Sequence, residues 1–277
     1  MSILTLEEKR EKIKELRPID DVFFEALADD IKVCQEILRV ILEDPKLTVE
    51  DVIVQSSKRN LYGRSVRLDA LCTLGNGTKC NIEVQRSDND NHLKRVRFNA
   101  ASITVKDSNP NESFDDVLDM YVVYISEFDI FKEGKTIYHV DKVLRETGTI
   151  VDDGLQMIFV NTEIHDGSEI AELMKCFLQK EIHDEKFPET AKRMAELKTT
   201  EGGVGIMCKI MEEYLEASKA EGIAEGIAKG KSEGIAEGKS IGKLEQLIEL
   251  VKDGLLKAAD AAVKAGMTEQ EFTLLLK

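Results

Sequence analysis

The sequence RLDALCTLGNGTKCNIEVQ, residues 67–85, constrains the fold more than any other part of the chain. Two runs of strand-forming residues flank a GNGT turn, which is the pattern of a β-hairpin. If the turn is centred on its asparagine, the numbers of residues that face each other across the hairpin sum to 152, so Asp69 faces Glu83. On the other, buried side of the hairpin, Cys72 faces Cys80. The sequence therefore predicts an antiparallel ribbon that holds two acids on one face.

Two carboxylates that face each other on a sheet repel and need a compensating charge. Arg67, on the same strand as Asp69, or a bound divalent cation could supply that charge. Mg²⁺ commonly binds one or two carboxylates together with water and phosphate oxygens, so the pair would suit it. Alternatively, the acids lie on a partly exposed edge of the hairpin, where Arg67 neutralises them. The residues alone leave both interpretations open.

Basic residues are concentrated around the hairpin. Between Lys58 and Lys106 the chain has ten basic and four acidic residues, a net charge of +6, whereas the whole chain carries −15 and the remaining residues therefore −21. A basic segment in an acidic chain is what a site for a polyanion would look like. A charge run of this kind is also found on ordinary solvated faces. What the basic segment surrounds, the acid pair, favours the first interpretation.

Several classes of protein are excluded by composition. The apolar runs are far shorter than the roughly 20 residues that a membrane-spanning helix needs, so we expect no membrane span. The first residues, MSILTLEEKREK, lack a long apolar stretch, so we expect no signal peptide. An odd set of cysteines without a CxxC pair argues against a disulfide scaffold and a zinc site, and favours a reducing cytoplasm. These cysteines are Cys34, Cys72, Cys80, Cys176 and Cys208.

Alternating helical and strand patterns predict a mixed α/β core that ends near residue 205. Ahead of the hairpin, Asp20 or Asp21 is a candidate N-cap of a helix rich in aromatic residues. The GGVG sequence at 202–205 is typical of a linker turn, since it lacks the strand and the lysine of a phosphate loop. Further helices are predicted at residues 1–17, 30–42, 92–104, 169–179 and 189–197, and further strands at 49–54, 120–126, 136–140 and 155–160.

The last quarter of the chain has a different pattern. Glycine recurs at every fourth position from Gly222 to Gly242, within AEGIAEGIAKGKSEGIAEGKSIGK. Each glycine disfavours a lone helix by about 1 kcal/mol relative to alanine, but the spacing also aligns small residues where a second helix can approach. A self-associating helix and a flexible linker with helical tendency both fit this pattern. We expect a core domain at 1–205, a helical connector at 206–243, and a small helical segment at 244–277 with helices at 244–251 and 258–276.

The hairpin sequence, with RPIDDVFF ahead of it and KRVRFNAA behind it, resembles the Rpn family of recombination-promoting nucleases, which are also described as transposases. The repeat AEGIAEGIAKGK followed by a short helical end is similar to the C-terminus of that family. The resemblance covers nearly the whole chain and points to the PD-(D/E)XK nuclease superfamily. It implies an α/β, restriction-endonuclease-like core, a mixed sheet flanked by helices, with a glycine-repeat helical tail.

The resemblance also implies roles for individual residues. Asp69 matches the metal-binding aspartate of the first strand, and Glu83 matches the glutamate of the second strand. Gln85 occupies the position of the usual catalytic lysine, and Asp21 matches an acid on the first helix that faces the metal. The implied cofactor is Mg²⁺ or another divalent cation, held by the two strand acids and the backbone carbonyl of Val84.

A glutamine carries no positive charge, so another residue would have to supply the charge of the missing lysine. The resemblance offers Arg95 or Arg97, which match a basic pair on the helix after the hairpin. DNA would be held by basic residues on both sides of the acid pair, namely Arg67, Lys94, Arg95 and Arg97.

Two functions are consistent with these features. The first is a Mg²⁺-dependent DNA endonuclease, which hydrolyses a phosphodiester by in-line attack of a water and acts in recombination or on mobile elements. Gln85 would position that water. The second is a catalytically degenerate, nuclease-like protein that binds nucleic acid or a partner and oligomerises through its tail. We expect DNA as the partner, a homo-oligomer formed through the C-terminal helix, and no membrane contact.

Overall fold

The computed structural model describes residues 5–59, 65–89, 91–109, 111 and 113–276, apart from the side chains of 55–59, 65–67, 221, 224, 225 and 228. The chain divides into two compact units, Met1–Glu212 and Glu213–Lys277. Among the described residues, no helix combines the length and the apolar composition that crossing a bilayer requires.

The strands of the first unit are β1 (Val49–Arg59), β2 (Ser65–Leu74), β3 (Lys79–Gln85), β4 (Met120–Ser126), β5 (Ile137–Val140), β6 (Lys142–Leu144), β7 (Thr149–Val151) and β8 (Leu155–Asn161). Six of them form one mixed sheet in the order β1-β2-β3-β4-β8-β5, and β6 pairs with β7 separately. β3, β4 and β8 run parallel, and the other neighbours in the sheet are antiparallel. β3 and β4 occupy the middle because nearly all their residues are buried.

The helices are α1 (Leu6–Glu15), α2 (Asp21–Ala28), α3 (Ile31–Ile41), α4 (His92–Asp107), α5 (Glu169–Phe177), α6 (Pro188–Thr199), α7 (Glu201–Lys252), α8 (Ala258–Ala265) and α9 (Glu269–Leu274). Apolar side chains cover both faces of the sheet, which gives three layers. On one face, a large core joins α2, α3, α5 and α6 to Cys72, Ile82 and Val123. On the other face, α4 packs over Leu71 and Tyr124. The mixed sheet flanked by helices confirms the predicted α/β core.

The predicted hairpin forms β2 and β3 in the predicted register. Its pairs run from Thr73–Lys79 to Ala70–Ile82 and include Cys72–Cys80, and the partners in each pair sum to 152. Gly77 in the GNGT turn has a φ of 87°, a left-handed conformation that glycine adopts at little cost. The register of this hairpin fixes which side chains of β3 lie beneath α4.

Helix α7 overturns two predictions. The sequence at 202–205, predicted as a linker turn, lies in its first turns, and the segment 244–251, predicted as a separate helix, is its last part. Gly203 explains the first error, because a Cβ at that position would lie 2.2 Å from the main-chain oxygen of Glu196 and 2.6 Å from the Cα of Leu197. The glycine is therefore required by the close approach of two helices and not by a turn.

The second unit has a small core of its own. It is formed by Leu247 of α7, Ala261 and Ala262 of α8 and Phe272 of α9. Gly266 ends α8 in a left-handed conformation, with a φ of 73°. A capping box then begins α9, in which the Thr268 side chain and its partner Glu271 satisfy each other's main-chain N–H groups.

Candidate active site

Three polar side chains, Asn81, Glu83 and Gln85, lie along one face of β3 in the middle of the sheet. They share this face because successive residues of a strand point to opposite sides. Helix α4 covers the face and brings Arg95 and Asn99, one helical turn apart, into contact with it. Glu83 is only 1% exposed. A carboxylate this deeply buried needs hydrogen-bond or ion-pair partners, and its two oxygens have different ones.

The two oxygens of Glu83 differ in their contacts. Oε1 accepts a hydrogen bond from Nδ2 of Asn81 at 2.7 Å and another from Nδ2 of Asn99. Oε2 has no hydrogen-bond partner among the described residues, and the Nε of Arg95 lies 3.7 Å from it as an ion pair. Two amides thus fix one oxygen of the carboxylate, while the other oxygen, also buried, has only the Arg95 cation beside it.

Asp69 lies on β2 at the point where its pairing with β3 ends. The ladder stops one pair short of the predicted pairing between Asp69 and Glu83. Instead, the Oδ2 of Asp69 accepts a hydrogen bond from the main-chain N–H of Val84 at 2.9 Å. The carboxylate therefore takes the place of a main-chain acceptor, and the two strands separate beside both acids.

The geometry of β3 fixes the side to which the main-chain carbonyl of Val84 points. A strand residue points its N–H and C=O to the same side, and the next residue points them to the other side. The N–H of Val84 points to β2, where Asp69 accepts it. The carbonyl of Gln85 points to the β4 side, where it accepts the N–H of Glu127 at 2.9 Å. The Val84 carbonyl therefore points to the β2 side of β3, the side on which Asp69 lies.

Burial raises the pKa values of both acids, and repulsion from neighbouring carboxylates adds to the increase at Asp69. Burial raises the pKa of Asp69 to about 8, and the charges of Glu83 and Asp21 contribute to the increase, while Arg95 opposes it. Burial also raises the pKa of Glu83 above its ordinary value, against the effects of Arg95 and the two amides. Because a metal binds the ionised form of a carboxylate, a cation at this site would have to displace the proton that Asp69 retains below about pH 8.

Arg95 connects Gln85 to the acids. Its Nη1 donates to the Oε1 of Gln85 at 2.9 Å, and the Nε2 of Gln85 donates to the carbonyl and the hydroxyl of Ser87, at 3.0 and 3.2 Å. Burial opposes the charge of Arg95, but its neighbours, with Glu83 foremost, outweigh burial and raise its pKa. A permanent positive charge therefore lies beside Gln85, which has none.

The two aspartates at the start of α2 have different surroundings. Asp21 is exposed in the first turn, and its charge contributes to the raised pKa values of both Asp69 and Arg95. Asp20 is buried, and its Oδ1 pairs with the Nη1 of Arg86 at 2.8 Å. Asp21 is thus the one whose charge acts on Asp69, and Asp20 is engaged in an ion pair.

The four predicted DNA-binding residues are not all at the site. Arg95 contacts Glu83 and Gln85, as described. Lys94 and Arg97 are exposed on α4. The side chain of Arg67 lies outside the described part of the chain. The structure therefore distinguishes Arg95, beside the acids, from two cations that face solvent on the same helix.

Sequence reasoning missed the two amides that hold Glu83. Asn81 lies two residues before Glu83 on the same strand face, and Asn99 lies one helical turn after Arg95. Both spacings were visible in the sequence. Neither residue was predicted to act, because a neutral amide adds nothing to a charge pattern.

The oxygen atoms of the site suit a hard divalent cation. The carboxylates of Asp69 and Glu83 and the carbonyl of Val84 are the type of ligand that Mg²⁺ prefers, and the buried Oε2 of Glu83 has no hydrogen bond that a cation would have to displace. Within the described ranges, no group of three or more His, Cys, Asp or Glu side chains could hold a metal. The site therefore fits an ion that binds two carboxylates and completes its coordination with a main-chain oxygen, water and phosphate.

A mixed sheet flanked by helices, with one acid on each of two consecutive antiparallel strands, is consistent with a nuclease core of the PD-(D/E)XK type. A family model described as "PD-(D/E)XK nuclease family transposase" matches residues 22–219. The chain belongs to this family, which confirms the superfamily that the sequence resemblance implied. Nucleases of this superfamily generally use divalent metal ions. Comparison with curated proteins and with solved structures found no match.

Proposed function

We propose that the protein is a divalent-metal-dependent DNA endonuclease of the Rpn type, which acts in recombination or on mobile elements. The observation that carries this proposal is the acid pair Asp69 and Glu83, in which one buried oxygen of Glu83 lacks a hydrogen bond and lies beside Arg95. Membership of a nuclease family supports phosphodiester hydrolysis and DNA as the substrate. Mg²⁺ is the cation that we assign, because every ligand in the set is a hard oxygen.

The contacts of each site residue suggest the role that it would have in the reaction. Asp69, Glu83 and the Val84 carbonyl would hold the cation, which when bound lowers the pKa of a water and polarises the phosphoryl group. Gln85 would orient the attacking water, since its amide is held at both ends and its oxygen keeps a second lone pair. Asp21, exposed nearby, would hold a second cation or its water.

Arg95 is our choice for the charge that the missing lysine would have supplied. It alone of the two candidate arginines contacts Gln85 and Glu83, and there it can stabilise negative charge that develops on the phosphate. Arg97 and Lys94, exposed on the same helix, would instead hold the DNA backbone by charge. Contacts of that kind add affinity without sequence preference.

Nicking of supercoiled plasmid in Mg²⁺ tests the proposal. Asp69→Ala and Glu83→Gln should each reduce the rate by more than about 1,000-fold, because the ligands act as a unit. Asp141→Ala, which removes an exposed carboxylate outside the site, is the matched control and should cleave like the wild type. Equal cleavage by wild type and Asp69→Ala, or cleavage that persists in EDTA, would contradict a metal-dependent nuclease.

The second candidate is a nuclease-like protein that binds nucleic acid without cutting it. The glutamine at position 85 favours this alternative, because the superfamily usually has a lysine there. Metal-independent DNA binding that is lost on raising the salt concentration, without any cleavage by the wild type, would support it. The plasmid assay therefore decides between the two candidates.

We also propose that α7 forms a homo-oligomer with the same helix of a second copy. In the part of the chain that the structure describes, a Cβ added at Gly226 or Gly230 would meet no atom within 4 Å, so packing does not require glycine there. Ile223 and Ile227 beside them are more than half exposed. Gly226→Ala combined with Gly230→Ala should weaken association, as measured by light scattering of the full chain. If the double variant has the same mass as the wild type at every protein concentration, this role of α7 is ruled out.

All five cysteines are free thiols, and four of them are buried. Unpaired thiols are typical of reducing compartments. We therefore assign the protein to the bacterial cytoplasm, where chromosomal and plasmid DNA are accessible to it.

A further inference from the structure

We infer that Asn81 and Asn99 are positioning residues, which hold one oxygen of Glu83 and thereby direct the other towards the cation. This inference rests on the proposed metal-dependent function. Both amides are buried, at 0% and 4% exposure, and both donate to Oε1 of Glu83. Oε2 of the same carboxylate has no hydrogen bond within the described ranges. The two oxygens of Glu83 therefore differ, because two amides hold Oε1 and no described amide holds Oε2.

The orientation of Asn81 follows from chemistry. An ionised carboxylate only accepts hydrogen bonds, so the amide must present its NH₂ group to Glu83 and turn its oxygen away. That oxygen, Oδ1 of Asn81, is buried and lacks a hydrogen-bond partner among the residues that the structure describes. Leaving a buried acceptor unsatisfied costs about 1–3 kcal/mol. The contact with Glu83 is thus kept at the expense of the other half of the amide.

Neutral donors suit this task better than a cation would. Two hydrogen bonds occupy the two lone pairs of Oε1, so Glu83 has only Oε2 available for an ion. Because amides carry no net charge, they fix the carboxylate without cancelling the charge that attracts the metal. A lysine in place of either amide would compete with the metal for that charge. The pair therefore selects ligation through a single oxygen.

The two amides come from two different elements. Asn81 belongs to β3, the strand of Glu83 itself, and Asn99 belongs to α4, one turn from Arg95. Contacts from a strand and from a helix that packs over it fix the carboxylate in two directions. Groups that hold a metal ligand in this way typically change metal affinity by 10–100-fold when they are removed.

Calorimetric titration of the full-length protein with MgCl₂, without DNA, tests the inference. Asn99→Leu and Asn81→Leu keep the approximate size of the side chain and remove the donor, and each should weaken Mg²⁺ binding by about tenfold or more. Asn161→Leu is the matched control. This buried amide in the same sheet donates to the Lys135 carbonyl at 2.7 Å, away from the acids. It should bind Mg²⁺ as the wild type does.

The outcomes separate the inference from the proposed function. Equal Mg²⁺ affinity in wild type, Asn99→Leu and Asn81→Leu would overturn the inference alone, as would an equal loss in Asn161→Leu. A wild type that binds Mg²⁺ but does not cut DNA would overturn the nuclease proposal and leave the inference standing. A wild type that binds no Mg²⁺ would overturn both. If circular dichroism shows that a leucine variant is unfolded, Asn99→Ser, which shortens the side chain beyond reach of Glu83, replaces it with the same expected loss.

Discussion

Asp69→Asn should make the metal-free protein more stable at alkaline pH. Asparagine keeps the size of the side chain and an oxygen that can accept the N–H of Val84, but it does not titrate. Burial raises the pKa of Asp69 from its ordinary value of 3.8 to about 8. Between these two values the folded protein holds a proton that the unfolded chain has released. The free energy of unfolding of the wild type must therefore fall as the pH rises through this range.

The size of the effect follows from the width of the pH range. One pKa unit corresponds to about 1.4 kcal/mol, so a range of about four units sets an upper limit of about 5 to 6 kcal/mol. The loss begins above about pH 4 and is complete near pH 8. Asp69→Asn escapes it, so its free energy of unfolding should exceed that of the wild type by roughly 2 to 5 kcal/mol near pH 8, and the difference should disappear towards pH 4.

Urea unfolding followed by circular dichroism, in EDTA and at several pH values between about 5 and 8, measures this difference. Asp141→Asn, at an exposed carboxylate, should follow the wild type throughout. Addition of Mg²⁺ near pH 8 should stabilise the wild type by mass action and have a smaller effect on Asp69→Asn. Parallel pH dependences for wild type and Asp69→Asn would refute the reasoning, because they would mean that Asp69 does not retain its proton.

Other residues give sharp contrasts. Arg95→Met should slow plasmid cleavage by about 100-fold or more, whereas Arg97→Met should mainly weaken DNA binding and reduce its salt dependence. Slower nicking by Arg97→Met than by Arg95→Met, with the greater loss of DNA affinity in Arg95→Met in a filter-binding assay, would contradict these roles. Lys198→Met should lower the free energy of unfolding, measured in urea, by about 2 kcal/mol, because the ammonium donates to three main-chain carbonyls. An unchanged free energy of unfolding would show that water can take the place of the ammonium at these carbonyls. Gly203→Ala should destabilise the protein by about 1–3 kcal/mol, because its Cβ would collide with main-chain atoms. Gly205→Ala should stabilise α7 by up to about 1 kcal/mol, because its Cβ would meet no atom within 4 Å. Equal melting temperatures of the two variants would refute this contrast.

The hairpin was predictable because two signals in the sequence agree. The alternation in β3 sets which residues are buried, and a slip of one residue would turn Glu83 to the opposite face. The GNGT turn fixes the same register independently, through the left-handed conformation of Gly77. β4, a run of buried apolar residues, was predictable for the same reason that it is central.

Elements that depend on distant contacts were not predictable. The need for Gly203 in α7 arises from the main chain of Glu196, which no local pattern reveals. β6 and β7 contain three exposed residues each, too few to show a period. In the same way, the sequence offered Arg95 and Arg97 as equals. Only the packing of α4 over β3 shows that Arg95 reaches Gln85 while Arg97 faces solvent.

The hydrogen bond from the N–H of Val84 gives the Asp69 side chain a structural role, besides the metal-binding role that we propose for it. Alanine at position 69 would end both, because the N–H of Val84 would lose its acceptor at the point where two strands part. Asparagine would end only the chemistry. Inactive descendants of the nuclease that we propose should therefore retain an amide at position 69 far more often than a methyl group, because the amide still accepts the N–H of Val84.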